Sequence, residues 1–236
     1  MHRPVPTPTL DFDGDYGRTY ATTIRRSVPA YDTLLEISAA ALQPWAPTAR
    51  QVLVVGPGPG EELVGLLEVL PEAHLTVLEP SEQMAQACRA VIERHGAGDR
   101  CSLLQQQLNG DTSLAEQGFD VVVSHNVAHL MPPEPQQRFV QDLADRVAPG
   151  GALLLSSYSE PADQADLDTM LSVAASRLRR LGLDGDALEA FLATRNTLVF
   201  SLDGERLVST LVAAGLQPPQ LLLMALGSRL WLSRRG

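Results

Sequence analysis

Three glycines at alternate positions, Gly56, Gly58 and Gly60, close the run Val52-Leu53-Val54-Val55-Gly56-Pro57-Gly58-Pro59-Gly60. Few folds accommodate such a run. An unbroken apolar stretch suits a strand covered on both faces. Glycines at its carboxyl end let the backbone turn sharply and let a ligand lie where a Cβ would otherwise stand. Roughly twenty residues later a second apolar run, Leu75-Thr76-Val77-Leu78, ends in Glu79. In a parallel α/β sheet that carboxylate sits at the same edge as the glycine turn, where it can accept hydrogen bonds from both ribose hydroxyls of a nucleoside. Together the two features read as an adenosine pocket.

Spacing narrows the ligand. A dinucleotide fingerprint places glycine first, third and sixth, so that a pyrophosphate rests on the helix N-terminus. Here the third glycine falls fifth, and the sixth residue is Glu61. Glu61 and Glu62 suit the dipole of the helix they open and repel a phosphate, whereas the sulfonium and ammonium of S-adenosylmethionine are attracted. The pattern resembles the first motif of class I methyltransferases, which makes S-adenosylmethionine the expected cofactor.

Composition excludes other classes. The 236 residues suffice for one large α/β domain, and 44% hydrophobic with 19% charged residues is the balance of a globular enzyme. Apolar runs are strand-length, too short to span a bilayer, and Met1-His2-Arg3-Pro4-Val5-Pro6-Thr7-Pro8 lacks the apolar stretch of a signal peptide. Cys88 and Cys101 are the only cysteines. They are too few for a disulfide framework or a typical zinc site, so no metal is expected, and they fit a reducing cytoplasm as buried thiols. Nucleic-acid binding leans on cationic side chains. A formal charge of −10, with basic clusters only at Arg25-Arg26, Arg177 to Arg180 and Arg234-Arg235, points instead to a small-molecule substrate, with no nucleic acid and no membrane. A homodimer is left open.

Along the chain, proline and threonine in residues 1–9 predict a loosely draped tail. A helical pattern from Leu10 to about Pro44 breaks at Val28-Pro29, since proline disfavours helix at the residue before it. Then strands and helices alternate: strand Gln51 to Val55, helix Glu62 to Leu70, strand His74 to Glu79, helix Ser81 to His95 capped by Ser81, and strands Cys101 to Gln106 and Phe119 to Ser124. A helix from Pro133 to Val147 is expected to end on Pro149-Gly150-Gly151, with strand Ala152 to Ser157 after it. Two helices, about 162–181 and 186–194, precede a third at Gly204 to Ala214. The chain closes with a hairpin of Gln220 to Ala225 and Arg229 to Ser233. This is an α/β, Rossmann-like, doubly wound and mostly parallel sheet. Its terminal antiparallel hairpin is characteristic of the class I methyltransferase fold. Residues 1–48 form a tail and helical lid, residues 49–236 the cofactor-binding domain, and about 161–202 a helical insert over the pocket.

The segment Ile24-Arg25-Arg26-Ser27-Val28-Pro29-Ala30-Tyr31 resembles the "RSVPGY" segment of carboxy-S-adenosylmethionine synthases, methyltransferase-like enzymes that make the cofactor for a tRNA wobble-uridine modification. The likeness runs at moderate level through Gly151 and weakly to the C-terminus. It implies cofactor contacts from Tyr31, Gly56, Gly58, Glu79, Pro80, Gln107, Leu108, Ser124 and Arg195. Three features depart from the family, one being Pro59, which stiffens a glycine turn that is usually looser. Glutamines 105–107 replace the aspartate that bonds the adenine amino group, and Ser124 stands in place of asparagine. In the family the arginine binds the extra carboxylate of the modified cofactor, a role that falls to Arg195 here.

Displacement at a sulfonium needs alignment more than a triad. A general base is needed only if the acceptor must lose a proton, and His125, with His129 beyond it, is the candidate. Tyr31 and Tyr158 are candidates to face a sulfonium by cation–π attraction, whereas Tyr16 and Tyr20 read as fillers of a lid. Three reactions are compatible with these residues. Methyl transfer to a small molecule leads. The alternatives are cyclisation of S-adenosylmethionine itself to azetidine-2-carboxylate with release of methylthioadenosine, and carboxyl transfer to the cofactor.

Overall fold

The computed structural model describes residues 10–109, 114 and 118–236. The expected tail, residues 1–9, lies outside the described residues.

In chain order the elements are helices α1 (Asp15–Ser27) and α2 (Tyr31–Trp45), strand β1 (Gln51–Val55), α3 (Glu61–Val69), β2 (His74–Leu78), α4 (Glu82–Arg94), β3 (Cys101–Leu104), β4 (Phe119–His125), α5 (Pro133–Asp145), β5 (Val147–Tyr158), α6 (Gln164–Arg180), α7 (Gly185–Leu192), α8 (Gly204–Ala213), β6 (Gln220–Ala225) and β7 (Ser228–Arg234). The seven strands form one sheet in the order β3-β2-β1-β4-β5-β7-β6. β1 to β5 run parallel, and β7 inserts antiparallel between β5 and β6. The order reverses at β1, so a crevice opens at the carboxyl ends of β1 and β4.

Each face of the sheet is buried. Side chains alternate along β1: Val52 and Val54 join Leu34, Leu63, Leu66 and Ile92 from α2, α3 and α4, while Leu53 and Val55 join Phe139, Leu143, Leu207 and Leu211 from α5 and α8. Ser81 caps α4 as expected, its Oγ accepting from Met84 N at 3.1 Å. The same Oγ donates to Asp13 Oδ1 at 2.7 Å. Gln83 N donates to that oxygen as well, at 3.0 Å, so the residues before α1 are tied to the start of α4 rather than being helical from Leu10.

Two boundaries differ from expectation. The helix before β5 stops at Asp145, and Pro149-Gly150-Gly151 belongs to β5 itself, whose register against β4 jumps from Phe119↔Val147 to Val121↔Ala152. Gly150 takes φ 77, and a Cβ on Gly151 would lie 2.9 Å from the carbonyl oxygens of Ala148 and Asp120. The glycines therefore form a bulge inside a strand, not a turn after a helix. β3 is shorter than expected because Gln106 N turns back to Leu104 O at 3.0 Å.

Candidate functional site

The carboxyl edge of the sheet opens into a cavity of about 1200 Å³, walled by α1 on one side and by α6, α7 and the segment after α7 on the other. Gly56 (φ 69) and Gly58 (φ 58) line it in left-handed conformations. A Cβ on Gly56 would meet Val127 Cγ2 at 2.6 Å, whereas one on Gly58 would find its nearest neighbour, the Tyr20 ring, at 3.7 Å. Gly60 (φ 87) is not in the wall. A Cβ there would meet Cys88 Sγ at 3.0 Å, so this glycine seats α3 against α4.

Glu79 is buried at the end of β2 and faces the cavity. Its Oε2 accepts from Gly58 N at 2.9 Å and its Oε1 from Ser81 N at 3.0 Å, which locks the carboxylate to the glycine turn. Burial raises its pKa above the ordinary range, partly offset by those two N–H groups. Pro80, Gln107 and Leu108 continue the wall beside it, together with Gln106. Ser124 does not reach the cavity. It is fully buried, and its Oγ donates to Val55 O at 3.0 Å, joining β4 to β1.

The tyrosines divide differently from expectation. Phe12, Tyr16 and Tyr20 line the cavity as a chain of edge-packed rings, with Tyr16 5.2 Å from Phe12 and 6.0 Å from Tyr20. Tyr31 is buried and lies outside the cavity wall, with the Arg25 guanidinium 5.3 Å from its ring centroid. The spacing Phe12, Tyr16, Tyr20, Ile24 was the available signal, since residues four apart share a helix face. Arg25 also pairs with Asp32 at 2.7 Å and with Glu61 at 3.1 Å, fastening α1 to α2 and α3.

At the end of β4, His125 is buried with Nε2 2.8 Å from Ser38 Oγ and with Nδ1 unpartnered. Burial depresses its pKa to about 3. His129 Nδ1 accepts from Tyr158 N at 3.3 Å, and burial brings its pKa to about 4. Both imidazoles are therefore neutral and weakly basic at physiological pH. Between them Asn126 takes φ 59, a conformation asparagine tolerates better than most residues, and its Nδ2 has no partner although it borders the cavity. Sequence reasoning passed over it.

Glu160 also escaped notice. It stands just beyond β5 and accepts from Tyr158 Oη at 2.7 Å and from Arg195 Nε and Nη2 at 2.5 and 2.8 Å. Arg195 and Tyr158 both line the cavity, the guanidinium of Arg195 being already paired. Burial opposes ionisation of Glu160, but Arg195 and Tyr158 outweigh it and hold the carboxyl below its usual range.

Glu62 differs from its neighbour Glu61. Its side chain is buried with Oε1 unpartnered, and burial, reinforced by the charges of Glu79 and Glu61, raises its pKa well above normal. Cys88 is buried and Cys101 half-buried, both free. Among the described residues no cluster of three or more His, Cys, Asp or Glu could hold a metal ion, and no helix is long and apolar enough to cross a membrane.

Comparison with known proteins places this geometry. Residues 52–151 match the family model described as a methyltransferase domain. The chain is 25% identical over 158 residues to the carboxy-S-adenosyl-L-methionine synthase of Desulfotalea psychrophila, covering 66% of this chain and 63% of that protein. It is 27% identical over 176 residues to the enzyme of the same name from Pseudomonas syringae pv. syringae, covering 72% and 71%. Among solved structures, mitomycin 7-O-methyltransferase superposes with a TM-score of 0.60 at 20% identity over 86% of this chain and 54% of its own. The magnesium protoporphyrin IX methyltransferase of Synechocystis, solved with bound S-adenosylmethionine, gives 0.58 at 15% identity over 87% and 79%.

Proposed function

From a methyltransferase domain over residues 52–151 within a class I methyltransferase fold, we propose that this chain is an S-adenosylmethionine-dependent enzyme that methylates a small molecule. One observation carries the reading: the glycine turn and Glu79 line one end of a cavity too large for a nucleoside cofactor alone. Sites for single small ligands run to roughly 300–1000 Å³, so about 1200 Å³ leaves room for a second molecule.

The residues present fit the cofactor. Gly58 leaves open the space a Cβ would fill, and Glu79 is already oriented by two backbone N–H groups, with lone pairs remaining for ribose hydroxyls. Gln106, Gln107 and Leu108 would flank the base. Bound S-adenosylmethionine supplies a methyl group activated on a sulfonium. The chain's own residues then align the acceptor and exclude water: Phe12 just before α1, Tyr16 and Tyr20 on it, and Met170, Leu171 and Leu178 from α6. With pKa values depressed by burial, His125 and His129 are weak bases, which suits an acceptor that attacks through an existing lone pair better than one that must first be deprotonated.

A second reading, carboxyl transfer to the cofactor, is favoured by the names of the curated relatives and by Arg195 in the cavity wall. Its weakness is that Glu160 engages Arg195 on two nitrogens. Incubation with S-adenosylmethionine alone, followed by mass spectrometry, isolates a third possibility, cyclisation of the cofactor, which would release methylthioadenosine. No turnover without a second substrate supports methyl or carboxyl transfer, and a carboxylated cofactor formed on adding a carboxyl donor would select the latter. We read residues 1–48 as a tail and lid on a cofactor-binding domain, and the free cysteines as suited to the cytoplasm.

A further inference from the structure

The sheet order divides the cavity floor. Gly58, Glu79 and Gln107 follow β1, β2 and β3 on one side of the switch point, and His129, Tyr158 and the β6–β7 turn at Leu226 follow β4, β5 and the hairpin on the other. Over the second side lie α6, α7 and the segment after them, which contribute Met170, Ala174, Leu178, Phe191, Leu198 and Phe200 to the wall. Charged side chains are scarce there. Arg195 is bound on two nitrogens by Glu160, and Arg177 is turned to the carbonyl oxygens of Arg25 and Arg26 at the end of α1, at 3.1 and 2.5 Å. Arg195 is thus neutralised by a carboxylate, whereas Arg177 keeps its charge but spends two nitrogens on backbone oxygens at the end of α1. Bringing a carboxylate into an apolar compartment costs several kcal/mol unless a free cation meets it, and here Glu160 would have to be displaced first.

From this we infer that the half of the cavity beneath α6 and α7 is an acceptor compartment for an uncharged, largely apolar molecule, and that Glu160 enforces the selection by neutralising Arg195. The inference rests on the reading that the other half holds the cofactor. Tyr158, whose hydroxyl donates to the same carboxylate, holds Glu160 in place from the end of β5. Glu160 is a specificity residue, acting on the acceptor through Arg195.

The test uses N-phenyl-1-naphthylamine, an uncharged fluorescent probe, with the full chain saturated by S-adenosylhomocysteine. The probe should bind alongside S-adenosylhomocysteine, and Ala174→Trp, which fills the compartment, should weaken the probe at least tenfold while leaving S-adenosylhomocysteine within twofold. Uncharged 1-naphthamide should displace the probe at least tenfold better than the isosteric anion 1-naphthoate. In Glu160→Gln that gap should close or invert, and adding Arg195→Met should remove the gain for naphthoate. Competition between probe and S-adenosylhomocysteine, indifference of the probe to Ala174→Trp, or equal displacement by amide and acid in the native chain would each overturn the inference. Binding of the probe, sensitive to Ala174→Trp, with no binding of S-adenosylhomocysteine would instead refute the cofactor reading alone.

Discussion

Replacing Glu79 by glutamine removes one of two carboxylate oxygens while conserving shape. Both oxygens accept backbone N–H groups, Oε2 from Gly58 at 2.9 Å and Oε1 from Ser81 at 3.0 Å. An amide has one acceptor oxygen, so one of these donors must face an NH₂ group. A hydrogen bond to a charged group is worth about 1.5–3 kcal/mol. Relief of the buried charge opposes that loss, because burial holds the Glu79 pKa above its usual range, so the melting temperature should fall by less than the roughly 3–12 °C that the bond alone would give, at about 2–4 °C per kcal/mol. Ribose hydroxyls would lose the same charged acceptor, another 1.5–3 kcal/mol or so, equivalent to an affinity about 10- to 100-fold weaker. Circular dichroism against temperature measures the first loss, and titration calorimetry with S-adenosylhomocysteine at pH 7.5 the second. Unchanged affinity in a folded Glu79→Gln protein would refute the placement of adenosine against this carboxylate, whatever happened to stability.

Acid should destabilise the chain through its buried imidazoles. His125 and His129 have folded pKa values of about 3 and about 4, below the unfolded value of about 6.5, so the unfolded chain binds more protons as pH falls from 6.5 toward 4. Each should contribute a slope of up to about 1.4 kcal/mol per pH unit, and urea melts at pH 7, 6 and 5 should show a shallower decline in His125→Gln. Glu62 works the other way: a raised carboxyl costs stability as pH climbs above about 4.5. Glu62→Gln should therefore melt higher than the native chain at pH 8 and converge with it at pH 5, and a constant difference would show the proton to be irrelevant. Ala30 holds φ 58 between α1 and α2. Ala30→Gly should gain about 0.5–1 kcal/mol from relieved strain net of glycine's entropy, read as a rise of about 1–4 °C in melting temperature, and a fall would mean that the strain is absent. With a sequence pI near 4.9, the protein should not retard tRNA in a gel at moderate salt, and a salt-sensitive shift would overturn the small-molecule assignment.

The parts of this molecule that could be read from sequence are those in which local pattern and tertiary role coincide. Apolar runs with punctuating Gly and Pro delimit β1, β2 and β4 to within a residue, because strands covered on both faces tolerate few polar side chains. The glycine turn and Glu79 were legible for a similar reason, each being forced by backbone geometry at a sheet edge. Pro149-Gly150-Gly151 misled because glycine marks both helix ends and bulges, and only pairing with β4 decides between them. Long-range side-chain partners were out of reach. Nothing local announces that Glu160 meets Arg195 across 35 residues, that Ser38 meets His125 across 87, or that Tyr20 rather than Tyr31 faces the cavity.

Arg177 joins two covers of the cavity that are far apart in the chain, reaching Arg26 O from 151 residues away. During synthesis α1 leaves the ribosome long before α6 exists. At 5–20 residues per second, roughly 8–30 s separate the two. Over that interval Phe12, Tyr16 and Tyr20 have no α6 or α7 opposite them, and an aromatic stripe faces water or whatever nascent chain lies nearby. The ion pairs of Arg25 with Glu61 and the bonds of Asp13 to Ser81 and Gln83 involve residues made much sooner, so α1 can be moored early along its length while its aromatic face waits. A chain cut short before α6 would therefore present that aromatic face with no wall opposite it.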